Sequence, residues 1–237
     1  MNQADEIIAL LEEQRNEEQR KILMRFFRTG EGQYGEGDEF LGLKVPQTRL
    51  IVKAARHCLS LDEIEKLLYS RWHEARLCGL LLLVEEMKAA KNNSEQREAI
   101  ATFYLRHARQ ANNWDLVDLS CQYILGPYLL PSADYDILYR LADSDNLWEQ
   151  RIAIVTTLYF VRAGIFTPTL TIAAKLLSHP HDLIHKATGW LLREIGKRDT
   201  DTLRTFLEEH YSSINRTTLR YAIERLDAAE RQYWLKH

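Results

Sequence analysis

From Pro46 to the C-terminus, apolar side chains recur three and four positions apart, with charged and polar residues filling the intervals. That spacing predicts amphipathic helices over Glu74–Met87, Glu95–Arg109, Trp114–Leu125, Leu147–Val161, Leu170–Leu177, Leu183–Lys197, Leu203–His210 and Arg216–Leu226. No stretch sustains the two-residue alternation of a half-buried strand, so a sheet is not expected. Pro131, Pro168 and Pro180 fall between these segments, and Gly126 and Gly164 follow predicted helix ends. Residues 1–29 read as N-terminal helices. Residues 30–45 read as a glycine-rich loop, of which 30–42 hold five of the chain's ten glycines.

The later helices repeat a motif. Glu-Ala-Arg76, Glu-Gln-Arg151 and His-Lys186-Ala open similar segments, and Arg151 and Lys186 stand 35 residues apart. Asn215-Arg216-Thr-Thr-Leu-Arg220 opens the next. A helix-pair period of this size predicts an all-α chain, an α-solenoid of HEAT-like repeats with residues 46–237 as the repeats and the whole of 1–237 as one domain. In such an array equivalent positions line one concave groove.

Composition narrows the class. At 237 residues, 46% hydrophobic and 27% charged, the chain can bury a substantial core. Cys58, Cys78 and Cys121 are odd in number and lack metal-binding spacing, which fits a reducing cytoplasm. Neither a signal peptide nor a membrane-length apolar run is present. The net charge of −3 does not advertise nucleic-acid binding. Its distribution is uneven, however: Lys186, Arg193, Lys197, Arg198, Arg204, Arg216, Arg220 and Arg225 crowd the last third. They form either solvated helix faces or a basic groove.

Four of the five tryptophans precede an ionisable group at helical spacing: Trp72 and Arg76, Trp114 and Asp118, Trp148 and Arg151, Trp190 and Arg193. Indole faces stack on bases and sugars, arginine grips phosphates, and a carboxylate can stabilise a sugar cation. The combination suggests a DNA site. Trp72 and Trp148, near helix starts, suit packing, whereas Trp190, following Gly189, suits exposure. Asp115 is explained by the helix N-terminus, with Asn113 as cap. Asp118 lies deeper in the helix on the face of Trp114, where a terminus role explains it poorly and catalysis competes. His179, His181 and His185 cluster without the further ligands of a metal site, and no Ser-His-Asp or Cys-His nucleophile pattern occurs. The glycine-rich loop lacks the Gly-Lys-Ser/Thr of a phosphate loop. It reads first as a flexible connector, and alternatively as a mobile arm carrying Tyr34 and Phe40 to a ligand.

The blocks Asn-Trp114-Asp-Leu-Val-Asp118, Ser-Asp145-Asn-Leu-Trp-Glu-Gln-Arg151 and Lys186-Ala-Thr-Gly-Trp190-Leu-Leu-Arg193-Glu resemble the motifs of the AlkD-type DNA alkylation repair glycosylases. Phe-Leu-Gly-Leu-Lys-Val-Pro46 and Arg216-Thr-Thr-Leu-Arg220 extend the resemblance over about residues 22–226. It implies a HEAT-like glycosylase acting on duplex DNA that carries cationic N3- or N7-alkylated purines, as a cytoplasmic base-excision enzyme and monomer, with no cofactor and no metal. Trp114 and Trp190 would flank the lesion, with Asp118 catalytic. Arg151, Arg193, Lys186, Arg216 and Arg220 would contact DNA, and Phe26 or Phe27 stands where the family has a tyrosine. It further implies that the base stays stacked, which a shallow groove without a deep cavity would suit. The alternative is a non-catalytic HEAT-like protein that recognises damaged or branched DNA.

Overall fold

Short polar side chains start most of the helices. In the computed structural model, which describes residues 3–236, Asn16, Ser60, Asn93, Asn146, Asp199 and Asn215 each turn a side-chain oxygen onto a backbone N–H of the following first turn. Such caps satisfy donors that a helix start otherwise leaves unpaired. Pro46 and Pro168 occupy first-turn positions, where the missing N–H costs nothing. Among the described residues the chain is all-helical. The nearest approach to sheet is a single backbone bridge between Glu39 and Trp72. No helix among them is long and apolar enough to cross a membrane.

The chain forms two compact units, one running to Ile124 and the other starting at Leu125. The first holds α1 (Gln3–Glu13), α2 (Glu17–Phe26), α3 (Val45–Ala55), α4 (Leu61–Leu68), α5 (His73–Ala90), α6 (Ser94–Arg106), a 3-10 turn at Ala108–Gln110 and α7 (Trp114–Asp118). Its axis is α5, buried on every side from His73 to Val84. A helix that is apolar all round must be enclosed, and α1, α3, α4, α6 and α7 all pack against this one.

The boundary between the units falls inside α8 (Cys121–Leu129). After it come α9 (Asp136–Ala142), α10 (Leu147–Thr156), α11 (Leu158–Arg162), α12 (Thr167–Leu176), α13 (Asp182–Gly196), α14 (Thr200–His210), α15 (Arg216–Ala222) and α16 (Ala228–Lys236). Here α10 and α13 are central, with α10 packed on α9, α12 and α13, and α13 packed most heavily on α15. Gly189 makes that last packing possible: a Cβ there would sit 2.5 Å from both the Thr218 carbonyl oxygen and Tyr221 Cβ. The glycine before Trp190 therefore admits a neighbouring helix backbone. Gly126 lies within α8 rather than after it.

Candidate active site

The five-residue α7 carries Trp114 and Asp118 on one face, one turn apart, and both side chains are half-buried. Its N-cap is Asn113, whose Oδ1 accepts from the Trp114 N–H at 2.9 Å. Trp114 and Asp118 line a partly enclosed cavity of about 470 Å³ whose other walls are mainly apolar, among them Leu23, Leu43, Pro46 and Leu77. Sequence favours a shallow groove, but three phenylalanines from two segments, Phe26 and Phe27 at the end of α2 and Phe40 in the glycine-rich segment, build a wall that local periodicity does not reveal. Phe27 stacks on Trp114 at 5.4 Å, Phe40 stacks on Phe27 at 5.1 Å, and Phe40 also stacks on His73 at 4.3 Å. Phe26 meets Trp114 edge-on at 5.9 Å and remains 60% exposed, whereas Phe27 is buried. Both aromatics nominated from sequence thus line the cavity, Phe27 buried and Phe26 open to solvent.

Beneath the aromatic wall lies a buried set of charges. His73 Nδ1 is 2.7 Å from Asp38 Oδ2, and its Nε2 is 2.9 Å from Asp115 Oδ2. A ring nitrogen can satisfy a carboxylate oxygen only by donating, so both nitrogens carry protons and the ring is a cation. Burial alone would push the imidazole down; Asp115 and Asp38 override it and raise His73 to about 9. Burial likewise disfavours the charge on Asp38, yet His73, Arg76 and Asn113 hold its carboxyl below the usual range. Arg76 pairs with Asp38 through Nη2 and donates through Nη1 to the carbonyls of Ser70 and Arg71. Asn113 Nδ2 donates to Asp38 at 3.2 Å.

These contacts overturn the connector reading of the glycine-rich segment. Asp38, Phe40, Leu41, Gly42 and Leu43 are buried, and the buried Glu74 accepts the backbone N–H groups of Leu41, Gly42 and Leu43 at 2.9, 2.8 and 3.1 Å. Gly42 has φ +95°, and a Cβ there would lie 2.1 Å from the Asn16 carbonyl oxygen, so only glycine fits. Residues 38–43 are a fixed wall that delivers Phe40 to the cavity, while 30–37 remain largely exposed. Asp115 also needs correcting. It sits in the first turn of α7, as expected, but it is a buried partner of His73 and not merely a helix-end carboxylate. Sequence reasoning missed His73, Asp38 and Glu74. Their partners lie 31 to 75 residues away, beyond any helical spacing.

The remaining nominated residues belong to the second unit. Trp190 and Arg193 are half-buried on α13, and Arg193 forms an ion pair with Glu224. Lys186 pairs with Asp182 at 2.7 Å. Arg216 is exposed and donates to the Leu235 carbonyl at 3.1 Å, and Arg220 is exposed. An exposed pair such as Lys186–Asp182 contributes little, about 0–1 kcal/mol, so a phosphate can compete for its cation. Arg151 differs. It is 5% exposed and its Nη1 donates to the Leu183 carbonyl at 2.7 Å, tying α10 to the start of α13. Trp148 is buried, as its place near a helix start suggests. The histidine cluster is engaged in hydrogen bonds: His179 to Gln150 on α10 at 2.8 Å, and His181 to its own helix start at 3.1 Å. No group of ligands suited to a metal occurs among the described residues.

The sequence model of a family described as DNA alkylation repair enzyme matches residues 7–226. Among solved structures, a predicted DNA alkylation repair enzyme from Enterococcus faecalis superimposes with a TM-score of 0.69 at 16% identity, over 90% of this chain and 97% of that one. No curated protein matches the chain in sequence.

Proposed function

Since this chain belongs to the DNA alkylation repair enzyme family, we propose that it is a DNA glycosylase that removes cationic N3- and N7-alkylated purines from duplex DNA. The observation that carries this reading is a carboxylate, Asp118, set beside an indole face, Trp114, at an aromatic-walled cavity. Alkylation at N3 or N7 puts a positive charge on the purine. Its bond to C1′ is then weak, and the base leaves neutral with the bonding electrons, without a general acid. What needs stabilising is the positive charge that develops on the sugar. A carboxylate and the negative face of an indole supply that in a partly enclosed, largely apolar site, where such interactions are stronger than in open water. Water then adds its oxygen to C1′ and gives up a proton, for which Asp118 is the acceptor. One carboxylate serves where ordinary glycosides require two.

The reading gives Trp190 the role of a second indole surface on the DNA. Arg193, Lys186, Arg216 and Arg220 hold phosphates, exchanging weak surface partners for stronger ones. Arg151, buried as it is, shapes the α10–α13 pair instead. The test is release of free 7-methylguanine, with appearance of an abasic site, from a duplex carrying one such lesion. Binding of that duplex with no base released, at any enzyme excess, would leave a damage-binding protein and refute the glycosylase.

A further inference from the structure

A five-residue helix has no stability of its own, so the direction in which α7 presents Trp114 and Asp118 must be imposed by its surroundings. Leu116 and Val117 are fully buried and hold α7 to the core. Its side-chain polar ties converge on one place. Asn113 donates to Asp38, and Asp115 accepts from His73, which in turn donates to Asp38. Asp115's second oxygen, Oδ1, is buried without a partner among the described residues, so His73 is the donor on which its carboxylate depends. The chemistry proposed above uses none of these four groups.

We propose that His73 is a positioning residue: as a donor on both sides, it clamps Asp115 to Asp38 and so fixes the orientation of the helix that carries Trp114 and Asp118. The consequence for rate rests on the glycosylase reading; the clamp itself does not. Around His73, the glycine-rich segment contributes Asp38, Phe40 and Glu39, whose carbonyl accepts the His73 N–H at 2.8 Å; the end of α2 contributes Phe27, α5 contributes Glu74 and Arg76, α7 contributes Asn113 and Asp115, and Asp118 and the exposed Lys44 line the same cavity. No other buried cation in that set can replace it. Arg76 is committed to Asp38 and two carbonyls, and Glu74, a third negative charge, is committed to three amides. When His73 loses its proton, one of the two carboxylates faces a lone pair.

The experiment has two arms. In DNA-free protein, NMR follows the His73 imidazole and the Trp114 indole N–H from pH 6.5 to 10.5. The clamp predicts that His73 titrates near 9 and that the Trp114 resonance moves with the same midpoint. In Asp38→Asn both midpoints shift down together. In the second arm, single-turnover excision of 7-methylguanine is measured over the same pH range. Wild type should slow as pH rises through that midpoint. His73→Gln should be slower at pH 7.5 by about ten- to a hundredfold, the scale of a misplaced catalytic group. It should also lose the alkaline limb while binding undamaged DNA within about twofold of wild type. A Trp114 resonance that ignores the His73 titration overturns the clamp, as does an alkaline limb that persists in a folded His73→Gln. If wild type releases no base, the glycosylase reading fails, and the first arm still decides the clamp.

Discussion

Glu74→Gln isolates the joint that turns the glycine-rich segment into a cavity wall. In the native site Oε1 accepts from Gly42 and Leu43, and Oε2 accepts from Leu41. A glutamine can keep the two bonds to its carbonyl oxygen, but its NH2 then points a donor at the Leu41 N–H. One buried amide is left without an acceptor, which costs about 1–3 kcal/mol, and the other two bonds fall from charge-assisted to neutral, at about 0.5–1 kcal/mol each. The total is about 2–5 kcal/mol, large against the marginal stability of a typical domain. Urea unfolding followed by tryptophan fluorescence at pH 7 measures it, with an unchanged slope showing that the unfolding reaction itself is the same. Trp114 and Trp72 report on the first unit, whose unfolding should move to lower urea. Because Phe40 rides on this segment, limited proteolysis should cleave the variant near residues 38–43 sooner than wild type. A loss below about 0.5 kcal/mol would mean that the three bonds are not what holds the segment.

Three further outcomes follow from the same contacts. Arg193→Ala should reduce the slope of log DNA affinity against log salt by about one, equally for damaged and undamaged duplexes, whereas Arg151→Ala should leave the slope unchanged and lower the unfolding midpoint; the reverse pattern in a salt titration would contradict the burial argument. Gly189→Ala should destabilise the second unit by about 1–3 kcal/mol, since the new methyl meets the Thr218 carbonyl oxygen at 2.5 Å, and a neutral result in thermal unfolding would be inconsistent with the close α13–α15 approach. His73 has a folded value raised from about 6.5 to about 9, so its contribution is fully present below pH 6.5 and is lost as pH rises through 9; the unfolding free energy from urea titrations should fall across that window by up to roughly 3 kcal/mol in wild type and not in His73→Gln.

The helices were legible because burial on one side repeats every three to four residues, and that period survives in the sequence. The pairing of Trp114 with Asp118 was legible for the same reason: both lie on one short helix, one turn apart. What surrounds them was not. Asp38 sits in a segment whose glycines and acids read as solvated chain, and its role exists only because His73 and Asn113 arrive from 35 and 75 residues away. Asp115 shows the limit most clearly. The helix N-terminus accounts for a carboxylate there, so nothing local asks for a second explanation, and the buried histidine opposite it leaves no trace in spacing. Asp115→Asn is therefore a poor silent control for Asp118. Arg151 shows the converse: arginine three residues after tryptophan has the same spacing on a surface as in a helix interface, and its burial against Leu183 leaves no mark in the sequence.

The most direct measurement is single-turnover release of 7-methylguanine from duplex DNA by Asp118→Asn, beside wild type and with DNA affinity measured in parallel. Asparagine keeps the shape but removes the charge that matters as the sugar cation forms. The account predicts a rate lower by about two orders of magnitude or more, with affinity for the intact lesion duplex nearly unchanged. Release at the wild-type rate by Asp118→Asn would remove Asp118 from the chemistry and contradict the account.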